Sequence, residues 1–274
     1  MLIHGTIKRP KWRICMQPKS RTNEAYEFLQ NYQGLTNPDS FQFHRWLRES
    51  EQLIKKNAID AYSLKSFAYV LMGKPKKALY SMQNAKKLGD RYATQNIMNI
   101  FHNMGDFEKS TQIALKNIPT NPQTLVYVRA LLLGSLFLLM PDNIHQALLL
   151  YRGQDDDVVE YESKAVLDEI DKRKSLLETL NINKEVFIKI FKKIYYLLSH
   201  HYIGNPITSV VDEYTEIGGN LRINIFLENI DIEYCLELND LFLEELINDG
   251  LLDFSEYKNI MVSFIPAQYA DKVA

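Results

Sequence analysis

Apolar side chains recur at helical spacing from about Thr22 to Tyr202. The pattern is cut by short turn signals at Gly34, Asn37-Pro38, Gly73-Lys74-Pro75, Gly105-Asp106, Asn121-Pro122 and Pro141-Asp142. This predicts helices of about 12 to 20 residues, and connections so short make sequential helices antiparallel neighbours. After Gly204-Asn205-Pro206 the period changes. In NLRINIFLEN, Leu221, Ile223 and Ile225 alternate with Arg222 and Asn224, which predicts a half-buried strand. DIEYCLEL is expected as a second strand or a lead-in, NDLFLEELINDG as a helix capped by Asn239 and ended by Gly250, and NIMVSFIPA as a closing strand. The chain thus divides into a basic segment over 1–21, a helical region over 22–204 and an α+β module over 205–274.

Small residues repeat within the helical region. Gly73 is followed by Ala78 and Ala85, Gly105 by Ser110 and Asn117, and Asp142 by Ala147, so Ala78, Ser110 and Ala147 lie 32 and 37 residues apart. From about Ile59 to Gly153 the chain resembles the tetratricopeptide repeat family, whose period is about 34 residues. Tyr69 and Phe101 stand at the family's first-helix aromatic position, Tyr62 at its early tryptophan, Tyr151 at a large second-helix residue and Pro122 at the proline between repeats. Lys65 replaces a leucine, Asp90 a proline and Asn117 a small residue, and the third unit lacks its turn glycine. The expected architecture is mainly α: an antiparallel array of this repeat type, flanked by further helices, with a small α+β module at the end. The resemblance implies that the first helices of the units line a concave surface that binds a peptide or protein segment.

On that surface the second unit reads YATQNIMNIFHNMG. With Ile97, Ile100 and Phe101 inward, Gln95, Asn96, Asn99, His102 and Asn103 form a polar stripe at i, i+3 and i+4 spacings. Carboxamides donate and accept, as the backbone of an extended peptide requires. Tyr92 and Arg129 complete the expected contact set.

Charge adds two alternatives. Residues 1–120 hold 19 Lys/Arg against 9 Asp/Glu, and the remainder 13 against 25. From Pro206 to Tyr257 thirteen acids face a single base, Arg222. An acidic surface of Glu237, Asp240, Glu244, Glu245 and Asp249 would suit an immunity protein or antitoxin that neutralises a basic toxin such as a nuclease. At the other end Lys8, Arg9, Lys11, Arg13, Lys19 and Arg21 surround Trp12, an arrangement able to bind nucleic acid. The alternation of Trp12, Ile14 and Met16 instead favours a strand that joins the carboxyl-terminal sheet and brings opposite charges together.

Other chemistry is not signalled. Cys15 and Cys235 form no CxxC pair, which fits a reducing cytoplasm. The amino terminus carries no export signal, and the apolar run Ala130 to Met140 is far shorter than the ~20 residues that span a bilayer. His200-His201 has no second metal-ligand cluster, and Asp155-Asp156-Asp157 reads as helix capping rather than a calcium loop. No phosphate loop or catalytic signature occurs, so the expectation is a non-enzymatic interaction protein without cofactor or metal. The Asn/Ile/Lys-rich style suggests a bacterial or phage source.

Overall fold

The computed structural model describes residues 21–120, 124–215, 218–248, 250 and 253–270. It is mainly helical. The first ten helices are α1 (Arg21–Asn31), α2 (Phe41–Leu53), α3 (Ala58–Leu71), α4 (Pro75–Lys87), α5 (Ala93–Asn103), α6 (Phe107–Asn117), α7 (Thr124–Leu138), α8 (Pro141–Leu150), α9 (Asp156–Thr179) and α10 (Lys184–His201). Among them α1 packs on α3, α5 on α7 and α7 on α9, while α2, α4, α6 and α8 each pack against the helix that follows. The result is a bundle of many packed helices, compatible with a helical-repeat fold.

Close packing between paired helices follows from the small residues. Ser66 and Ala78 are both fully buried, and the Ser66 hydroxyl donates to the Ala78 carbonyl at 2.9 Å, a spacing that larger side chains would prevent. Asp90, where the sequence resemblance would have a proline, accepts from the Tyr92 amide at 2.8 Å and from the Ser63 hydroxyl at 2.7 Å. It therefore opens α5 and ties it to α3. Pro122 lies outside the described residues.

The three hairpin turns share one hydrogen-bond pattern. Lys74 donates to the Tyr69 carbonyl, Asp106 to Phe101 and Met140 to Ser135, with Gly73, Gly105 and Leu139 left-handed at φ 65°, 75° and 52°. This is the six-to-one closure that ends helices. The third turn is therefore present without glycine: Leu139, fully buried, takes the strained conformation, held there by its packing. Counting from Leu139 places Ile144, not Ala147, at the position of Ala78 and Ser110.

Helix α10 lies across the first two turns. A methyl added at Gly73 would meet the His200 carbonyl, and one at Gly105 would meet the Lys192 backbone. Lys192 also pairs with Glu108, while Thr36 donates from its hydroxyl to His200 at 2.7 Å and from its amide to His201 at 3.1 Å. Beside them the short strands β1 (Gly34–Leu35) and β2 (Tyr202–Ile203) pair antiparallel.

Beyond β2 come β3 (Ile207–Thr215), β4 (Gly218–Leu227), α11 (Ile232–Asn248), α12 (Phe254–Tyr257) and β5 (Ile260–Pro266), with β4 central, antiparallel to β3 and parallel to β5. Leu221, Ile223 and Ile225 are fully buried, as their alternation predicts, but Asn224 and Phe226 on the opposite face are buried too. Both faces of the central strand are therefore covered, so its alternation does not separate core from solvent. Two further expectations are corrected. DIEYCLEL is not a strand: it forms the first turns of α11, because Cys235, Leu238, Phe242 and Leu246 make one buried helical face and Asp231 accepts from the Tyr234 amide at 2.8 Å. Asn239 is therefore mid-helix, not a cap. Its side chain accepts from the Phe264 amide at 2.9 Å and donates to the Phe264 carbonyl at 3.4 Å, covering the outer edge of β5.

One buried cluster runs from α5–α10 into β4, β5 and α11, and a second joins α1–α5. Because the α10 backbone sits on the Gly105 turn, Gly105→Ala should cost about 1–3 kcal/mol through the clash and the positive φ. A lowered melting temperature checks this, and an unchanged one would mean that α10 does not bear on the turn.

Candidate functional site

Helix α5 carries the expected polar stripe, and the structure divides it. Asn96, Asn99, Asn103 and Tyr92 fall on one partly to fully exposed face, because spacings of three and four residues return to the same side of a helix. Gln95 is turned into the core with 4% of its surface exposed, so it is removed from the contact set. Its neighbours Ala93, Ile97, Met98 and Ile100 are buried on the same side of the helix or beside it. Residues at i and i+1 point about 100° apart, so Gln95 and Asn96 cannot share the single face expected for both.

His102 is partly withdrawn from the surface, with its Nδ1 edge turned inward. Its ring stands edge-on to Phe107 and Tyr195, with centroids 5.2 and 5.6 Å away, and Phe137 lies at 6.1 Å. The buried Nδ1 has no hydrogen-bond partner among the described residues. Burial in this aromatic setting lowers the imidazole pKa to about 4, so the ring is neutral at pH 7 and packs as an aromatic.

Arg129 is engaged elsewhere. Its guanidinium meets the Glu162 carboxylate at 2.6, 2.8 and 3.1 Å, and the two side chains retain 18% and 13% exposure. Such a fork joins α7 to α9 and raises the proton affinity of the arginine, whose guanidinium is held by Glu162. What remains on α5 is a row of three carboxamides with Tyr92 at its head, where the Arg91 guanidinium lies 4.6 Å from the ring centroid. Asn96 is also in contact with Met82 on α4, its amide nitrogen 3.9 Å from the sulfur.

The acidic set falls on α11. Glu237, Asp240 and Glu244 are exposed, Glu245 is half-buried beside Lys193, and Asp249 lies outside the described residues. Among the described residues no ion pair engages Glu237, Asp240 or Glu244. The basic stretch Lys8 to Lys19, with Trp12, Ile14 and Met16, lies outside the described residues; Arg21 opens α1 and pairs with Glu24 at 2.5 Å.

Two features are not anticipated by the sequence patterns. A cavity of about 320 Å³ between α3 and α4 is lined by Tyr62, Lys65, Tyr69, Lys76, Lys77 and Tyr80. Lys77 stands 5.8 Å from the Tyr69 ring there, and Lys65 is 3.9 Å from Glu51. The other feature is an apolar stripe on α11, whose signal is present in the spacing of Ile232, Leu236, Leu243 and Ile247. Among the described residues no cluster of metal-binding side chains occurs and no helix is long and apolar enough to cross a membrane. The chain matches no protein-family model, no curated protein and no solved structure.

An unfolded histidine protonates near pH 6.5 and folded His102 only near pH 4. The unfolded state therefore gains protons first: the stability His102 contributes is fully present above pH 6.5 and is lost as pH falls toward 4. Thermal melts of His102→Phe should show a shallower decline across that window than wild type. Superimposable pH profiles would mean that the ring titrates normally.

Proposed function

We propose that the protein is a non-enzymatic interaction protein whose helical array, of tetratricopeptide type, holds an extended peptide or protein segment along α5. The observation that supports this reading is the row of Asn96 and Asn99, each partly exposed, and Asn103, fully exposed, on one side of α5. At a rise of 1.5 Å per residue the row is about 10 Å long, close to the length of three residues of extended chain. Each carboxamide can donate to a peptide carbonyl and accept from a peptide amide, so the row reads backbone more than side-chain identity. Tyr92 supplies an aromatic surface at one end, with Arg91 stacked on it. Arg129, Gln95 and His102 contribute indirectly, by holding α7 against α9 and by packing α5 in place.

This reading needs no cofactor and no catalytic group. The nucleic-acid alternative rests on the stretch Lys8 to Arg21, of which only Arg21 is described, so it gains no support from the fold. The neutralising role of an acidic surface rests on α11, a different element from the carboxamide row.

Selection from a displayed library of extended peptides on the wild-type chain tests the proposal. Selected peptides should lose about tenfold or more in affinity on Asn96→Ala/Asn99→Ala/Asn103→Ala, with the far-ultraviolet dichroism unchanged. Retained affinity would move the binding surface away from α5.

A further inference from the structure

Helix α11 is amphipathic over more of its circumference than the fold covers. Cys235, Leu238, Phe242 and Leu246 are buried against the sheet. Next to that face Ile232, Leu236, Leu243 and Ile247 stand 54%, 59%, 53% and 71% exposed. Their spacings of four, seven and four residues hold them within about 60° of one another on the helix. Four aliphatic side chains aligned and open over some 22 Å of helix are unusual on a surface that meets only water.

The stripe has a built flank on each side. Toward the sheet, Ile232, Cys235 and Leu236 border an open pocket of about 350 Å³ that Phe264, Ile265, Pro266 and Tyr269 also line. Away from the sheet come Glu233, Glu237, Asp240 and Glu244, all exposed and grouped within another roughly 60° of arc. Helix α11 contains no Lys or Arg.

We propose that the α11 stripe is a docking site for a basic amphipathic helix of another protein, whose aliphatic side lies along Ile232, Leu236, Leu243 and Ile247 and whose lysines or arginines meet the acidic flank. The apolar contact supplies most of the affinity, and the acids set the sign of the partner and its orientation. The charge argues against the other occupants. In an antiparallel pair of α11 helices from two copies, like flanks face each other, so the carboxylates of one would oppose those of the other. An anionic lipid surface would be repelled by the same residues, since interfacial helices carry Lys and Arg beside their apolar face. The chain's own residues 1–20 hold Lys8, Arg9, Lys11, Arg13 and Lys19 without an acid, so occupation in cis is an outcome the test must separate.

The probe is a fluorescent Leu/Lys amphipathic helix of about 16 residues, matched to the stripe, with a Leu/Glu peptide of the same pattern as control. Anisotropy titrations use the full chain. The Leu/Lys peptide should bind and the Leu/Glu peptide should not. Leu236→Ser/Leu243→Ser should weaken binding about tenfold, as should Glu237→Gln/Glu244→Gln, the latter also with a flatter salt dependence. All four side chains are exposed, so dichroism and melting temperature should stay near wild type for both variants. Absence of binding, equal binding of the two peptides, or undiminished affinity in the two variants would overturn the proposal. So would tighter binding by Lys8→Gln/Arg9→Gln/Lys11→Gln/Arg13→Gln, because the stripe would then be covered by the chain itself.

Discussion

The arrangement depends on how closely α10 can approach two left-handed turns. Gly73 and Gly105 adopt positive φ, which alone favours glycine, but each also faces a backbone carbonyl of α10 where a methyl would not fit. The turns therefore do two things at once: they reverse the chain between paired helices, and they form a flat seat for a helix from far along the sequence. From that seat α10 directs Tyr195 toward His102, Phe107 and Phe137, and passes the core on to the sheet and α11. Both candidate surfaces inherit their positions from this seat.

Much of the helical part is legible in the chain because its signals are local. Glycine ends a helix through its own φ, and Ala78 marks close packing because Ser66 opposite it is also small. The third turn escapes that logic. Leu139 takes the glycine conformation under tertiary compulsion, which no residue-by-residue pattern reports, and a register counted from Asp142 falls on Ala147 in consequence. The α+β part fails for a related reason: the apolar and acidic residues of DIEYCLEL suit a strand or a helix equally over so short a window, and the decision lies in the sheet that buries Cys235 and Leu238.

The two surfaces differ in what they could recognise. The α5 row is polar and small, so specificity there would come from backbone hydrogen bonds and a shallow aromatic end. The α11 stripe is aliphatic with one charged margin, which recognises shape and sign. The residues on α5 are identifiable as polar, but which of them face outward depends on their neighbours: Gln95 and Asn96 are chemically alike and adjacent, yet one is buried. Likewise nothing near Arg129 in the chain reveals its ion pair, because Glu162 reaches it only through the packing of α9 on α7. The α11 stripe is within reach of the spacing rule, but the many acids interleaved with its leucines give the segment the look of a solvated charged helix.

Asn239 has a wider meaning for the life of the chain. Strand β5 closes one side of a three-stranded sheet, and an uncovered strand margin is a template on which any extended polypeptide can polymerise. One carboxamide, reaching across from α11, occupies both backbone groups of Phe264 and so imitates one residue of a neighbouring strand. The helix thereby acts as a guard against fibre growth, and any event that lifted α11 from the sheet would also unmask an adhesive margin. Holding α11 down is thus a matter of colloidal safety as much as of folding.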